Sequence, residues 1–233
     1  MKQAVSEKAY KGIGMEGFTA KWYASMTAKG IEEFRALARR VAAELPGGGD
    51  VLEVAPGPGY FSIELAKLGD YCITGLDISH TMVEIARDNA RQAGVDVAFR
   101  HGNASDMPFE DEAFDFLLCR AAFKNFTEPE RALQEMYRVL KPGGRALIID
   151  LRKDATPENI KEAVESMHLG LINTMMTKLT FRFMLLKRAY TRAQFEQMLS
   201  QTKFGPIDIA EGPIGLELSL KRSKDHCLSE ARR

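Results

Sequence analysis

The feature that most constrains this chain is an alternation between about residues 50 and 150, where short β-rich runs are separated by longer stretches of helical periodicity. The runs are DVLEVA (50–55), YCITGLD (71–77), VDVAFRH (95–101), FDFLLC (114–119) and RALIID (145–150). Between them, 60–68, 79–93 and 128–140 carry apolar residues three and four apart, as in Met82, Ile85 and Ala86 or Leu133, Met136, Tyr137 and Leu140. That spacing lines one face of a helix. Ser79 stands where an N-cap belongs, and KPGG at 141–144 places Pro and Gly just past the third helix, which predicts its end there. Strand and helix in repetition, joined by short connections, predict a mostly parallel sheet covered on both faces. Two later β-runs, FGPIDIAEG and PIGLELSLKR, meet at Gly212 and Pro213 and read as an antiparallel hairpin, which brings the expected sheet to seven strands.

The rest of the chain reads as additions to that core rather than as a second domain. Residues 1–48 form an N-terminal helical cover with one or two helices in 16–45, and 49–151 form the core. Residues 152–202 form a second helical cover, 203–222 the hairpin and 223–233 a polar tail. Lys plus Arg and Asp plus Glu both number 32, so the net charge is zero. Sequence-independent nucleic-acid binding needs a surplus of cations, and this balance argues against it. The cysteines Cys72, Cys119 and Cys227 are too few and too scattered for a disulfide framework or a CxxC knuckle, which fits a reducing cytoplasm. MKQAVSEKAY lacks the apolar run of a signal peptide, and no stretch is apolar enough to span a bilayer.

In an open parallel sheet the ligand crevice lies at the carboxyl ends of the strands, and the first strand borders it. Here the first strand turns into its helix through EVAPGPGYF, where Gly57 and Gly59 allow the backbone to approach a ligand. Asp77 ends the second strand 18 residues beyond Gly59, placed to accept hydrogen bonds from two ribose hydroxyls. A nucleoside-containing cofactor is implied. The dinucleotide fingerprint GxGxxG fails, because Tyr60 or Ser62 stands where its third glycine is needed.

What remains is an acid at the end of strand one followed by small residues at every second position: Glu53, Ala55, Gly57 and Gly59. This pattern resembles motif I of the class I S-adenosylmethionine-dependent methyltransferases. The likeness runs on for about 100 residues through GLDIS (75–79), GNASDMPF (102–109) and EMYRVLKPGG (135–144), four motifs in the family's order. The resemblance implies a Rossmann-like fold and S-adenosyl-L-methionine as cofactor. It implies that Asp77 holds the ribose, Ile78 packs on the adenine, and Asn103 with the Ala104 amide reads the adenine edge. Glu53 and the loop from Ala55 through Pro56 and Gly57 to Gly59 would surround the methionine part, and Arg120 is counted with these cofactor-facing residues. Ala55 replaces the family's usual first glycine and Asn103 its usual aspartate; Asn103 retains an acceptor for the adenine amino group.

The expected activity is methyl transfer to an N, O, S or C atom of a small molecule. After strand four, CRAAFKNFTEPERAL places FKNF where the quinone-biosynthesis C-methyltransferases have a similar basic residue followed by Asn, so a quinone or lipid-like substrate at a membrane surface is one alternative. Others are a cofactor-binding protein that does not methylate and a nucleotide-dependent oxidoreductase. Candidate substrate residues are Tyr23, Phe123, Lys124, Asn125, His168, Met175 and Met176. No catalytic base is assigned. Each also has a plainer reading: Tyr23 beside Trp22 as a helix-packing pair, His168 as a packing or surface histidine, Asp77 as a capping residue and Glu53 as a solvated strand-end charge. The four histidines lack ligand spacing, which argues against a metal site. Residues 166–195 contain no Asp or Glu but carry Lys178, Arg182, Lys187, Arg188 and Arg192 beside an apolar, Met-rich stripe. They read as a cover helix, a pocket for an apolar substrate, or a basic surface that touches anionic lipid.

Overall fold

The computed structural model describes residues 10–12, 14–166 and 186–224. His168, Met175 and Met176, and with them most of the acid-free stretch, lie outside the described residues. Seven strands form one sheet: β1 (Gly49–Val54), β2 (Tyr71–Asp77), β3 (Ala98–His101), β4 (Phe114–Arg120), β5 (Leu140–Leu151), β6 (Ile207–Glu211) and β7 (Gly215–Lys221). Their order is β3-β2-β1-β4-β5-β7-β6, with β1 to β5 parallel and β7 antiparallel to both β5 and β6. The chain steps outward from β1 to β3 and then returns beside β1 as β4. The carboxyl ends of β1 and β4 therefore form the switch point, where an α/β sheet opens a crevice.

Helices α1 (Gly17–Thr27), α2 (Ile31–Glu44), α3 (Tyr60–Ala66), α4 (His80–Ala93), α5 (Pro129–Val139), α6 (Pro157–Ser166) and α7 (Arg192–Leu199) flank the sheet. Successive strand residues point to opposite faces, and both faces are apolar. Val51, Ile73, Phe116, Leu118 and Leu147 meet Phe34, Leu37 and Val41 of α2 and Phe61 and Leu65 of α3. Leu52, Val54, Leu117, Cys119 and Ile148 meet Leu133 and Met136 of α5 and Phe195 and Met198 of α7. This two-sided burial explains why the strands read as nearly continuous apolar runs.

Local signals set most boundaries. The Ser79 side chain accepts from the Met82 amide at 3.0 Å and caps α4. At the other end Gly94 sits at φ +67, with its own N–H on Arg91 O and that of Val95 on Ala90 O, a Schellman closure. Two boundaries differ from expectation. β3 is shorter than 95–101, because the chain leaving Gly94 reaches pairing distance of β2 only at Ala98, opposite Thr74. β5 starts at Leu140, with no loop after α5: Leu140 pairs with Phe114, the register shifts, and Arg145 pairs with Phe116. KPGG thus ends the helix as expected but lies within the strand as an irregularity.

Candidate functional site

The loop from β1 to α3 is shaped by backbone conformations that side chains resist. Ala55 adopts φ +56, Gly57 φ +54 and Gly59 φ +78. A Cβ on Gly59 would lie 2.6 Å from Phe99 Cζ and 3.1 Å from Ala86 Cβ, so only glycine lets α3 start against α4 and β3. Ala55 holds the left-handed conformation despite its Cβ, pinned by its N–H on Leu76 O at 2.8 Å. The substitution of the usual glycine therefore leaves this turn in place at a cost of about 1–2 kcal/mol. Ala121, just past β4, repeats the arrangement at φ +59, with its N–H on Ile149 O. Strained positions of this kind gather where a fold holds a functional loop.

Two buried carboxyls converge on the loop. Asp77 accepts from Gly57 N at 3.0 Å and from Ser79 N at 2.9 Å, which ties the glycine loop to the end of β2. Burial pushes its pKa up to about 6 against the pull of those hydrogen bonds. Glu53 Oε2 accepts from Ser62 N at 3.2 Å and Ser62 Oγ at 2.6 Å, and burial raises its pKa to about 7. The acid is thus buried rather than solvated. Asn103 is half-buried, and its Oδ1 accepts from Ser105 N at 3.0 Å, which makes it a turn former at the end of β3. Ala104 is buried; Ile78 is half-buried, its carbonyl 3.0 Å from His101 Nε2. His101 in turn stacks on His80 with ring centroids 3.6 Å apart.

Between β1, β4 and α1 lies a cavity of about 40 Å³ whose lining includes Tyr23, Thr27, Glu53, Gly57 and Arg120. Tyr23 and Thr27 come from α1, which is fastened over the crevice. Glu16 accepts from His80 N at 3.0 Å and Thr81 N at 3.1 Å at the start of α4, and the Gly17 amide donates back to Thr81 Oγ1 at 3.1 Å. Tyr23 Cε1 would lie 3.8 Å from a Cβ on Gly57, so the phenol stands over the glycine loop. Arg120 donates to Glu33 at 2.7 Å and lies 4.5 Å from the Phe34 ring centroid, which anchors it to α2 at the rim.

Among the substrate candidates, Phe123 and Lys124 turn inward. Phe123 is fully buried, packed against Phe126, Tyr190 and Phe195, so it builds the core. Lys124 donates to Asp150 Oδ1 at 2.8 Å and to the Ala121 carbonyl, and its amide donates to Asp150 Oδ2 at 2.8 Å. The two side chains are only 5% and 1% exposed, a buried ion pair at the ends of β4 and β5. Asn125 is buried, and its carbonyl accepts from Lys11 N at 2.7 Å. Sequence reasoning missed Tyr10, Glu16 and this strap at 10–12, since no local motif marks a segment whose partners lie more than 60 residues away. Among the described residues no group of three or more His, Cys, Asp and Glu could hold a metal ion, and no helix is long and apolar enough to cross a membrane.

The site offers what S-adenosylmethionine requires: a left-handed glycine loop, a buried carboxylate beside it with lone pairs left for ribose hydroxyls, and a second carboxyl at the foot of strand one. The α/β sheet has a Rossmann-like strand order with a buried acid at the end of each of its first two strands. Residues 52–148, from β1 into β5, match the family model described as "Methyltransferase domain". Over 112 residues the chain is 37% identical to the ubiquinone/menaquinone biosynthesis C-methyltransferase UbiE of Haemophilus ducreyi, covering 46% of this chain and 42% of that one. Over 113 residues it is 37% identical to the demethylmenaquinone methyltransferase of Listeria welshimeri, covering 47% and 48%. The chain thus spans less than half the length of these curated relatives. A Methanococcus maripaludis protein, provisionally described as an S-adenosyl-L-methionine-dependent methyltransferase, shares the fold with TM-score 0.71 at 21% identity, covering 93% of this chain and all of that one. The [4+2]-cyclase SpnF shares it with TM-score 0.61 at 20% identity, covering 94% and 87%.

Proposed function

We propose that this protein is an S-adenosylmethionine-dependent methyltransferase and that its acceptor is a ring carbon of a small quinol-like molecule. The observation that carries the reading is the pair of buried carboxyls at the ends of β1 and β2, Asp77 on the Gly57 amide and Glu53 on Ser62 in the first turn of α3, within the segment that matches the methyltransferase domain. When bound, S-adenosylmethionine would supply an activated sulfonium methyl for transfer to the acceptor atom, with S-adenosylhomocysteine and a proton as the other products. The protein's share is placement. Asp77 and Gly57 orient the ribose end, Asn103 and Ala104 the adenine, Glu53 and Tyr23 flank the methionine end, and α1 excludes water. Lys124 and Asp150 pair in the core at the ends of β4 and β5.

The choice of carbon and of a quinol rests on the names of the relatives over about 110 residues and on FKNF at 123–126. Titration calorimetry with S-adenosylmethionine, S-adenosylhomocysteine and NADH tests the cofactor, and a labelled-methyl assay over reduced quinones, phenols, amines and thiols tests the acceptor. Binding without transfer to any acceptor would favour a non-methylating role, as the fold shared with a cyclase allows.

One observation favours contact with a membrane surface. Phe18, Trp22 and Met26 lie four residues apart on the outer face of α1, exposed by 83%, 57% and 45%, while the inner face bears Tyr23 and Thr27. Residues 17–31 hold Lys21 and Lys29 and no acid. An aromatic, cationic helix face of this kind suits the interface of an anionic bilayer, where it would set the crevice beside a lipid-soluble acceptor. Binding to anionic vesicles that fades with salt and is lost in Trp22→Ala tests it; equal binding to neutral vesicles or none removes the reading.

A further inference from the structure

Three side chains from distant parts of the chain extend the site beyond the cofactor loop. Tyr10 bridges to Phe126 beyond β4, and its phenol lies within electrostatic reach of Tyr23, Arg188, Asp77 and Asp150. Asp77 ends β2 and Asp150 lies near the end of β5, with β1 and β4 between them, so Tyr10 stands over the middle of the sheet's carboxyl edge. Gly12 is where the strap folds around it. A Cβ there would lie 2.6 Å from Tyr10 Cε1 and 2.7 Å from Arg188 Nη1, so the ring, the glycine and the guanidinium are packed together. Tyr23 stands over the Gly57 loop, and Tyr10 packs with Arg188 around Gly12.

Arg188 is half-buried, and no carboxylate among the described residues pairs with it. Its own stretch, 166–195, has no Asp or Glu to offer. By contrast Arg120, Arg138, Arg152 and Arg192 each hold a carboxylate within 2.8 Å. A partly desolvated guanidinium with no counter-charge among the described residues is a place where an anionic ligand oxygen would gain a charge-assisted hydrogen bond.

We propose that Arg188, with the hydroxyls of Tyr10 and Tyr23, is a subsite for an ionised oxygen of the acceptor, a phenolate or quinolate. This rests on the methyltransferase reading and sharpens it: a ring carbon is more nucleophilic when the oxygen conjugated to it carries charge, and these residues hold that charge next to the cofactor loop. Arg188 and the tyrosines would touch the acceptor oxygen directly; its phenolic proton leaves to solvent.

The probe is 4-nitrophenol, whose phenolate absorbs visibly, titrated with the protein saturated with S-adenosylhomocysteine. The wild type should bind the phenolate about tenfold more tightly than Arg188→Gln does, the scale of one hydrogen bond to a charged group. Its bound ionisation should occur at correspondingly lower pH. Arg188→Lys should recover part of the difference, and Tyr10→Phe, which keeps the ring against Gly12, should weaken the phenolate severalfold and phenol itself little. S-adenosylhomocysteine affinity should stay unchanged in all three, which also certifies their folding. Equal phenolate binding by wild type and both Arg188→Gln and Tyr10→Phe overturns the subsite. The two readings separate cleanly: phenolate capture without methylation of any quinol keeps the subsite and ends the proposed activity, whereas quinol methylation with an unshifted pH profile and KM in Arg188→Gln does the reverse.

Discussion

Replacing Glu53 by Gln should make the protein more stable at alkaline pH and weaken its hold on the cofactor. In the fold the Glu53 carboxyl is 3% exposed and its pKa stands at about 7, against an ordinary value of 4.5, because burial disfavours the charged form more than Ser62 and Arg120 favour it. The folded state therefore binds a proton that the unfolded state has released between those two values, so stability falls as pH rises through this window. Below pH 4.5 both states are protonated and the cost vanishes; above pH 7 it is complete, at about 3 kcal/mol for this shift. Gln cannot titrate, and its amide oxygen still accepts from Ser62. The variant's stability relative to wild type should rise by about 2–3 kcal/mol between pH 5 and pH 8, which for a chain of this length is on the order of 5–10 °C in melting temperature. Thermal and urea unfolding at the two pH values measure it, and calorimetry with S-adenosylmethionine gives the loss of affinity. Parallel stability profiles for the two proteins would refute the claim that Glu53 is a buried carboxyl held against its preference for water.

Asp77→Ala should weaken S-adenosylhomocysteine binding by about 1.5–3 kcal/mol. Because it also strands the Gly57 and Ser79 amides, it should lower stability by about 2–4 kcal/mol; an unchanged calorimetric affinity would remove Asp77 from the site. Asn103→Asp should retain both the turn at Ser105 and cofactor affinity, whereas Asn103→Leu, with no acceptor, should lose both; equal binding by the Leu variant shows that Asn103 does not read the adenine. Lys124→Met leaves Asp150 buried and unpaired and should cost about 3–5 kcal/mol in unfolding free energy. A melting temperature within a degree of wild type would mean that water reaches Asp150.

The fold was legible because its signals are local or periodic. The alternation of β-runs and amphipathic stretches, the Ser79 cap, KPGG at the end of α5 and Gly212 at the hairpin each act within a few residues, where chain geometry leaves few choices. The candidate site residues Glu53, Gly57, Gly59 and Asp77 share that legibility, since they occupy strand ends and one turn whose spacing the fold dictates. Phe123 and Lys124 show the limit. Both follow β4 directly, where a substrate contact is reasonable, but side-chain direction there depends on what lies opposite, and Asp150 from β5 and Phe195 from α7 draw them inward.

On its own the sequence determined a mostly parallel sheet and the glycine loop after its first strand, because hydrophobic period, caps and glycines act through neighbours along the chain. Only the tertiary structure decided that Glu16 fastens α1 across the crevice, that Lys124 is spent on Asp150, and that Tyr10 packs with Arg188 around Gly12. Those contacts join residues up to 178 positions apart. Nothing in the local pattern encodes them, because partners so far apart are chosen by the packing of the whole sheet and its covers, where burial makes an unmatched charge or phenol costly and so selects what may stand beside it.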